Sequence, residues 1–135
     1  MTQEEKQLLL IDLCARLPYG VIAHASEINK NGIITDINIS YNIVNLTIDN
    51  TNGKYEPVPL LDIKPYLRPM SSMTEEEANE WAKASNMKFD MEDGFFDAYD
   101  AHLSVDWLNK NMFDFRGLIP MGLALEAPEN MYKTK

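Results

Sequence analysis

The chain has 135 residues, 45% of them hydrophobic and 24% charged, which is enough apolar surface to bury one core and argues against wholesale disorder. Twenty-one acidic against twelve basic side chains leave a formal charge of −9, and no two bases adjoin, so direct contact with a nucleic-acid phosphate backbone is disfavoured because such a binder must supply cations. Cys14 is the only cysteine, so an intrachain disulfide and a multi-cysteine zinc site are both excluded, a usage that suits a reducing cytoplasm, and nowhere do roughly 18 apolar residues run uninterrupted to form a membrane span.

Thr2 and Glu5 have the spacing of a capping box, so a helix is predicted over about residues 3–17. Its run Leu8-Leu9-Leu10-Ile11 follows Glu4 and Glu5 and is broken by Asp12, which denies it the basic start and the length of a secretory signal. Leu10, Leu13, Cys14 and Leu17 recur at three- and four-residue steps and define the expected inner face, and Pro18 discourages continuation.

Over residues 20–67 the apolar period becomes two. Ile33, Thr35, Ile37 and Ile39 alternate with Asp36, Asn38 and Ser40, after which Val44, Leu46 and Ile48 fall on even positions. A turn or bulge near Tyr41-Asn42 would return both sets to one face, and Asn31-Gly32 and Asn52-Gly53 are further turn signals. Pro57, Pro59 and Pro65 cannot donate ladder bonds, so residues 55–67 are expected at a sheet edge or in an extended crossing segment. The pattern predicts four or five antiparallel strands forming a small bent sheet or SH3-like barrel.

Thr74 and Glu77 repeat the capping-box spacing before a second helix over about 75–85, with Ala78, Trp81, Ala82 and Ser85 on its inner face and Trp81 as the packing anchor. Phe96, Tyr99, Leu103 and Trp107 form the stripe of a third helix ending near Met112. Gly117, Pro120 and Gly122 then interrupt an apolar tail, for which a short helical turn, a strand-like end and fraying beyond Pro128 are expected. No Ser/Gly linker separates the parts. The expectation is one α+β domain, 1–135, with a helix and β-rich subregion over 1–69 and a helical subregion over 70–135.

The candidate chemistry is sparse. Cys14 would need His24 or His102 as a base to act as a nucleophile, but its place on an apolar face predicts a small buried hydrophobe. The two histidines share no metal-binding spacing, and a lone histidine is more often a structural or surface residue. Asp93, Asp97 and Asp100 would share a helix face and could hold a hard cation, although a solvated acidic face has the same pattern. An EF-hand register through Gly94 fails because Phe89 falls where the first carboxylate ligand belongs. Arg116 between Phe115 and Gly117, close to Phe113, could grip a carboxylate or stack a base, or the aromatic rings could staple the tail to the core. Phosphate loops and nucleophile elbows are absent, so no residue is assigned a catalytic, cofactor or metal role.

Charge is uneven: residues 1–67 hold eight acids and five bases, and residues 68–135 hold thirteen and seven. Between 89 and 109, Asp90, Glu92, Asp93, Asp97, Asp100 and Asp106 occur with no base among them. These features, with the proline-rich edge, suggest a non-enzymatic protein-interaction or adaptor module whose partner is another protein, possibly basic, without direct nucleic-acid or membrane contact. The alternatives are an acidic DNA-mimic inhibitor using residues 90–106 and a metal-dependent hydrolase using the aspartate cluster.

In Lys64-Pro65-Tyr66-Leu67-Arg68-Pro69-Met70-Ser71-Ser72-Met73-Thr74-Glu75-Glu76-Glu77, in Asp106-Trp107-Leu108-Asn109-Lys110-Asn111 and in Asp114-Phe115-Arg116-Gly117-Leu118-Ile119, the chain resembles a family of small uncharacterised proteins encoded by gut Bacteroides-type bacteria and their phages or mobile elements. The resemblance covers chiefly residues 55–125. It implies a cytoplasmic bacterial or phage setting and carries no activity, cofactor or site residue onto these positions.

Overall fold

A computed structural model describes residues 1–48, 55–85, 89–90, 95–96 and 101–132. Helix α1 (Gln3–Arg16) begins at the predicted capping box, with the Thr2 hydroxyl accepting from Glu5 N–H at 3.0 Å and the Glu5 carboxylate from Thr2 N–H at 2.9 Å. It ends in a 3-10 turn, Leu17–Tyr19, in which Pro18 sits where its missing N–H costs least. The buried face is rotated from the expected one: Leu9, Asp12, Leu13 and Arg16 point inward, and Cys14 is exposed.

Strands β1 (Ile22–Ala25), β2 (Lys30–Asn38), β3 (Ile43–Thr47), β4 (Tyr55–Pro59), β5 (Ile63–Leu67) and β8 (Leu125–Glu126) form a six-stranded sheet in the order β4-β3-β2-β1-β5-β8. The sheet is open, ending at β4 and β8, so the SH3-like barrel does not form. It is also mixed, since β8 pairs parallel to β5 while the other neighbours are antiparallel. Leu9 and Leu13 of α1 join Ala23, Ile34, Val44 and Leu46 of the sheet in one apolar cluster, closed by Leu118 and Leu123 from the tail.

The register explains where periodicity misled. A bulge between Ile34 and Asp36 splits β2 into two phases, so Ile34 and Ile37 face the core opposite Leu46 and Val44. Ile33 and Ile39, both assigned to the buried stripe, are 41% and 60% exposed. The parity slip expected at the turn is therefore resolved earlier, inside β2. The reversal near Tyr41-Asn42 is present, with Asn42 at φ 54°, but Asn31-Gly32 lies within β2 and the chain turns over residues 26–29 with Asn29 at φ 49°. Gly32 serves a different purpose: a Cβ there would lie 2.9 Å from the Thr47 carbonyl oxygen, so the glycine lets two strands approach closely. Asn52-Gly53 lies outside the described residues.

Strand β4 is an edge, as its prolines required. Leu60 N–H bonds Asn42 O at 2.8 Å, and the two-residue alternation of an antiparallel ladder then turns Val58 and Glu56 toward β3 and Pro57 and Pro59 outward. The prolines thus remove two outward-facing donors, which blunts this edge against strand addition. The edge expectation fails for Pro65: strand β5 is flanked by β1 and β8, and it tolerates the proline because Ser26 N–H bonding Asp62 O turns the even-numbered residues toward β1, so the Pro65 nitrogen faces away from β1 at a point before β8 begins to pair at Tyr66.

Helix α2 (Glu75–Ala84) starts at the second capping box, Thr74 and Glu77. Trp81 stacks on Trp107 with ring centroids 6.4 Å apart and donates from Nε1 to Ser104 Oγ at 2.9 Å, while Ser85 is fully buried and Ala78, expected inside, is exposed. The third helix, α3 (Ala101–Lys110), begins later than its stripe predicted: Phe96 lies in a two-stranded ribbon, β6 (Phe89–Asp90) with β7 (Phe95–Phe96), and Tyr99 lies outside the described residues. Its end is a Schellman motif, with Met112 at φ 63°, Phe113 N–H bonding Leu108 O and Met112 N–H bonding Asn109 O. The expected helical turn in the tail is a hydrogen-bonded turn, Leu123 N–H to Leu118 O, before β8. Residues 129–132 do not fray as expected, since Tyr132 is tied into the sheet, and residues 133–135 lie outside the described residues.

Candidate functional site: an acidic groove beside a buried charge cluster

The candidates raised by the sequence do not converge. Cys14 is exposed on α1, where partial desolvation raises its thiol pKa and disfavours the thiolate a nucleophile requires. His24 lies in β1 as expected, with Nδ1 2.7 Å from Asn31 Oδ1, and His102 is exposed on α3. Asp93, Asp97 and Asp100 lie outside the described residues, and among the described residues no group of three His, Cys, Asp or Glu side chains is placed to hold a metal.

Arg116 belongs to a buried cluster that the sequence reading missed. Asp12 and Arg16 sit one helical turn apart beside Leu9 and Leu13, so the fold of α1 buries a carboxylate and a guanidinium together. Arg16 Nε donates to both Asp12 oxygens at 3.1 and 3.0 Å, and Arg16 Nη2 donates to Phe113 O at 2.7 Å. Arg116 Nη1 reaches Asp12 Oδ1 at 2.6 Å and Asn109 Oδ1 at 3.1 Å, and its guanidinium lies 4.2 Å from the Phe115 ring centroid. Asp114 accepts Leu118 N–H and Ile119 N–H, which fixes the turn carrying Arg116. Desolvation pulls the Arg16 pKa down, Asp12 opposes that shift and Arg116 adds to it. The readable signal was Leu9, Asp12, Leu13 and Arg16 at steps of three, one and three. Asp12 and Arg16 are fully buried, so the cluster, with Arg116 14% exposed at its margin, clamps α1 to the chain after α3 and leaves little of itself open to a ligand.

Access is found on the other side of Phe113. There a groove of about 900 Å³ runs between the first half of α2 and residues 126–132, with Arg68, Lys110 and Asn111 between the two walls. Arg68 holds Glu77 through two hydrogen bonds, Nη1 to Oε2 at 2.6 Å and Nη2 to Oε1 at 2.7 Å, and lies over the Phe113 ring at 4.2 Å. The hydrogen bonds from Arg68 draw the Glu77 carboxyl pKa from an ordinary 4.5 to about 2. Arg68 is thereby neutralised. Among the described residues, what remains facing the groove is Glu76 and Glu80 from α2 and Glu126 and Glu129 from the tail, four exposed carboxylates against the ammonium of Lys110. Thr74 and Glu77 already satisfy backbone donors at the α2 N-terminus, which removes the usual attraction of a helix start for an anion.

The tail wall is held at two points. Ala127 N–H bonds Leu67 O at 2.7 Å, and the Tyr132 hydroxyl accepts from Ile22 N–H at 2.9 Å and donates to Tyr66 O at 2.7 Å. Burial raises the pKa of that hydroxyl, keeping it protonated and able to donate. No helix among the described residues is long and apolar enough to cross a membrane. No family model, curated protein or solved structure matches the chain.

Proposed function

We propose that the protein is a non-enzymatic protein-interaction module that takes a basic segment of another protein into the groove between α2 and residues 126–132. The observation that carries this reading is the concave surface on which, among the described residues, four carboxylates face one ammonium. Concavity and charge together favour a protruding lysine- or arginine-rich segment, because long cationic side chains can lie along the walls with their charges among the carboxylates. The blunted β4 edge shifts the contact away from the proline-rich strand and toward this groove. The resemblance of residues 55–125 to proteins of bacteria and their mobile elements supports a cytoplasmic bacterial or phage setting for that encounter.

The rival reading, a DNA mimic, requires the opposite shape: a convex acidic surface that enters a basic groove. Its segment, 90–106, is described only in part, with Asp106 exposed on α3. Titration of the full chain with an arginine- and lysine-rich peptide distinguishes the two. Binding should weaken steeply as salt rises, and replacing Glu76, Glu80, Glu126 and Glu129 with Gln should reduce affinity about tenfold or more, while the distant double variant E27Q/E56Q changes it little. Equal loss in both variants, or no binding at low salt, would overturn the groove reading. Competition between the protein and duplex DNA for a DNA-binding protein would instead support the mimic.

A further inference from the structure

We propose that residues 127–132 form a latch on the groove, in which engagement of the Tyr132 hydroxyl with the sheet and occupancy of the groove by a basic segment reinforce each other. The inference rests on the groove being the binding surface. Its structural basis is the way β5 changes partners. The register Ala25↔Ile63, His24↔Lys64 and Ala23↔Pro65 makes Ile22 and Tyr66 the next pair of the ladder. Past that point β1 has left β5, and residues 112–114 take its place, with Arg68 N–H bonding Met112 O at 2.7 Å and Asp114 N–H bonding Arg68 O at 2.8 Å. The Ile22–Tyr66 rung falls between the two partners, and the Tyr132 hydroxyl fills it, bonding Ile22 N–H and Tyr66 O and lying 3.2 Å from Ile22 O.

One phenol oxygen thus substitutes for a main-chain rung, and the same residue ends the tail wall of the groove. Between the two anchors, Ala127 and Tyr132, lies Glu129, with Glu126 just before the first. A cationic occupant spanning the groove touches α2 on one side and this anchored segment on the other, so it binds best when the segment is latched. Thermodynamic linkage then works in both directions: the occupant protects the latch, and loss of the latch weakens the occupant.

The test is amide hydrogen exchange of the full chain, read by NMR at Ile22 and Ala127, with and without the same arginine- and lysine-rich peptide. Saturating peptide should slow exchange at both amides by roughly fivefold or more, and Tyr132→Phe, which leaves every groove carboxylate in place, should weaken the peptide by a similar factor. In E126Q/E129Q the peptide should retain contact with α2 and lose its effect on Ile22. Peptide that binds the wild type without slowing Ile22, and binds Tyr132→Phe equally well, overturns the latch and leaves the groove reading standing. Peptide that fails to bind at all overturns the groove reading. The latch, which rests on that reading, falls with it.

Discussion

Asp12 is the acceptor on which two arginines depend, and its burial makes it the residue whose loss should be felt most. Arg16 is fully buried, and its Nη1 has no hydrogen-bond partner among the described residues, so its charge leans on Asp12 and the Phe113 carbonyl. Asp12→Ala leaves that guanidinium uncompensated in the interior and is expected to destabilise the fold by about 3–5 kcal/mol, measured as a drop in the urea midpoint with an unchanged slope. The triple variant D12A/R16M/R116M, which removes both arginines along with the carboxylate they share, should recover much of that loss; a triple variant no more stable than the single one would reject the electrostatic account. A carboxylate beside a leucine stripe reads as the solvated flank of a helix, which is why the apolar face was placed on Cys14 instead. The local spacing of Leu9, Asp12, Leu13 and Arg16 holds the pairing with Arg16, but the second partner, Arg116, comes from 104 residues away, and no local pattern announces it.

Several local signals were legible because the physics behind them is local, although Asn31-Gly32, a turn signal, lies inside β2 and the chain turns over residues 26–29 instead. Both capping boxes appear as read, and so do the Asn42 reversal and the edge position of β4, because each depends on a few adjacent residues. The β2 stripe was misread because a single bulged residue exchanges the two faces of a strand, and closure into a barrel was misjudged because it depends on how the ends of the sheet meet. The acidic groove was legible only as composition: the acidic second half was visible, but the neutralisation of Arg68 by Glu77 and the gathering of four glutamates were not. That Arg68–Glu77 pair joins α2 to the end of β5 and has a pH signature. The Glu77 carboxyl titrates near 2 in the folded chain against an ordinary 4.5. A depressed folded value means the stabilisation is complete above about pH 4.5 and is lost as the pH falls through about 2. With Glu77 partly exposed, the contribution is on the order of 1 kcal/mol after screening. Unfolding free energy measured from pH 6 to 2 should therefore fall more in the wild type than in Glu77→Gln; parallel curves would show that the pair contributes nothing to acid sensitivity.

Across the whole molecule, several ties join residues about a hundred positions apart in the sequence. Arg116 reaches back to Asp12, Arg16 to Phe113 and Tyr132 to Ile22, so the N-terminal helix and first strand are held by segments that follow α3. Such connectivity favours one cooperative unit, and the two tryptophans make that testable because both lie in the helical part while most backbone strand signal comes from the sheet. Thermal unfolding followed by tryptophan fluorescence and by far-ultraviolet circular dichroism should give coincident transitions. Tyr132→Phe removes a hydroxyl that serves a partly buried donor and a carbonyl, a loss of about 1 kcal/mol or somewhat more, and because the lesion is in the sheet it should lower the circular dichroism midpoint directly. In one cooperative unit the fluorescence midpoint must fall by the same amount, although Trp81 stacks on Trp107 and Trp107 on Phe113 rather than on Tyr132. A fluorescence transition that stays at the wild-type temperature while the sheet melts earlier would show that the helical part unfolds independently, and that the ties from 113–132 to the first strand join two units instead of closing one.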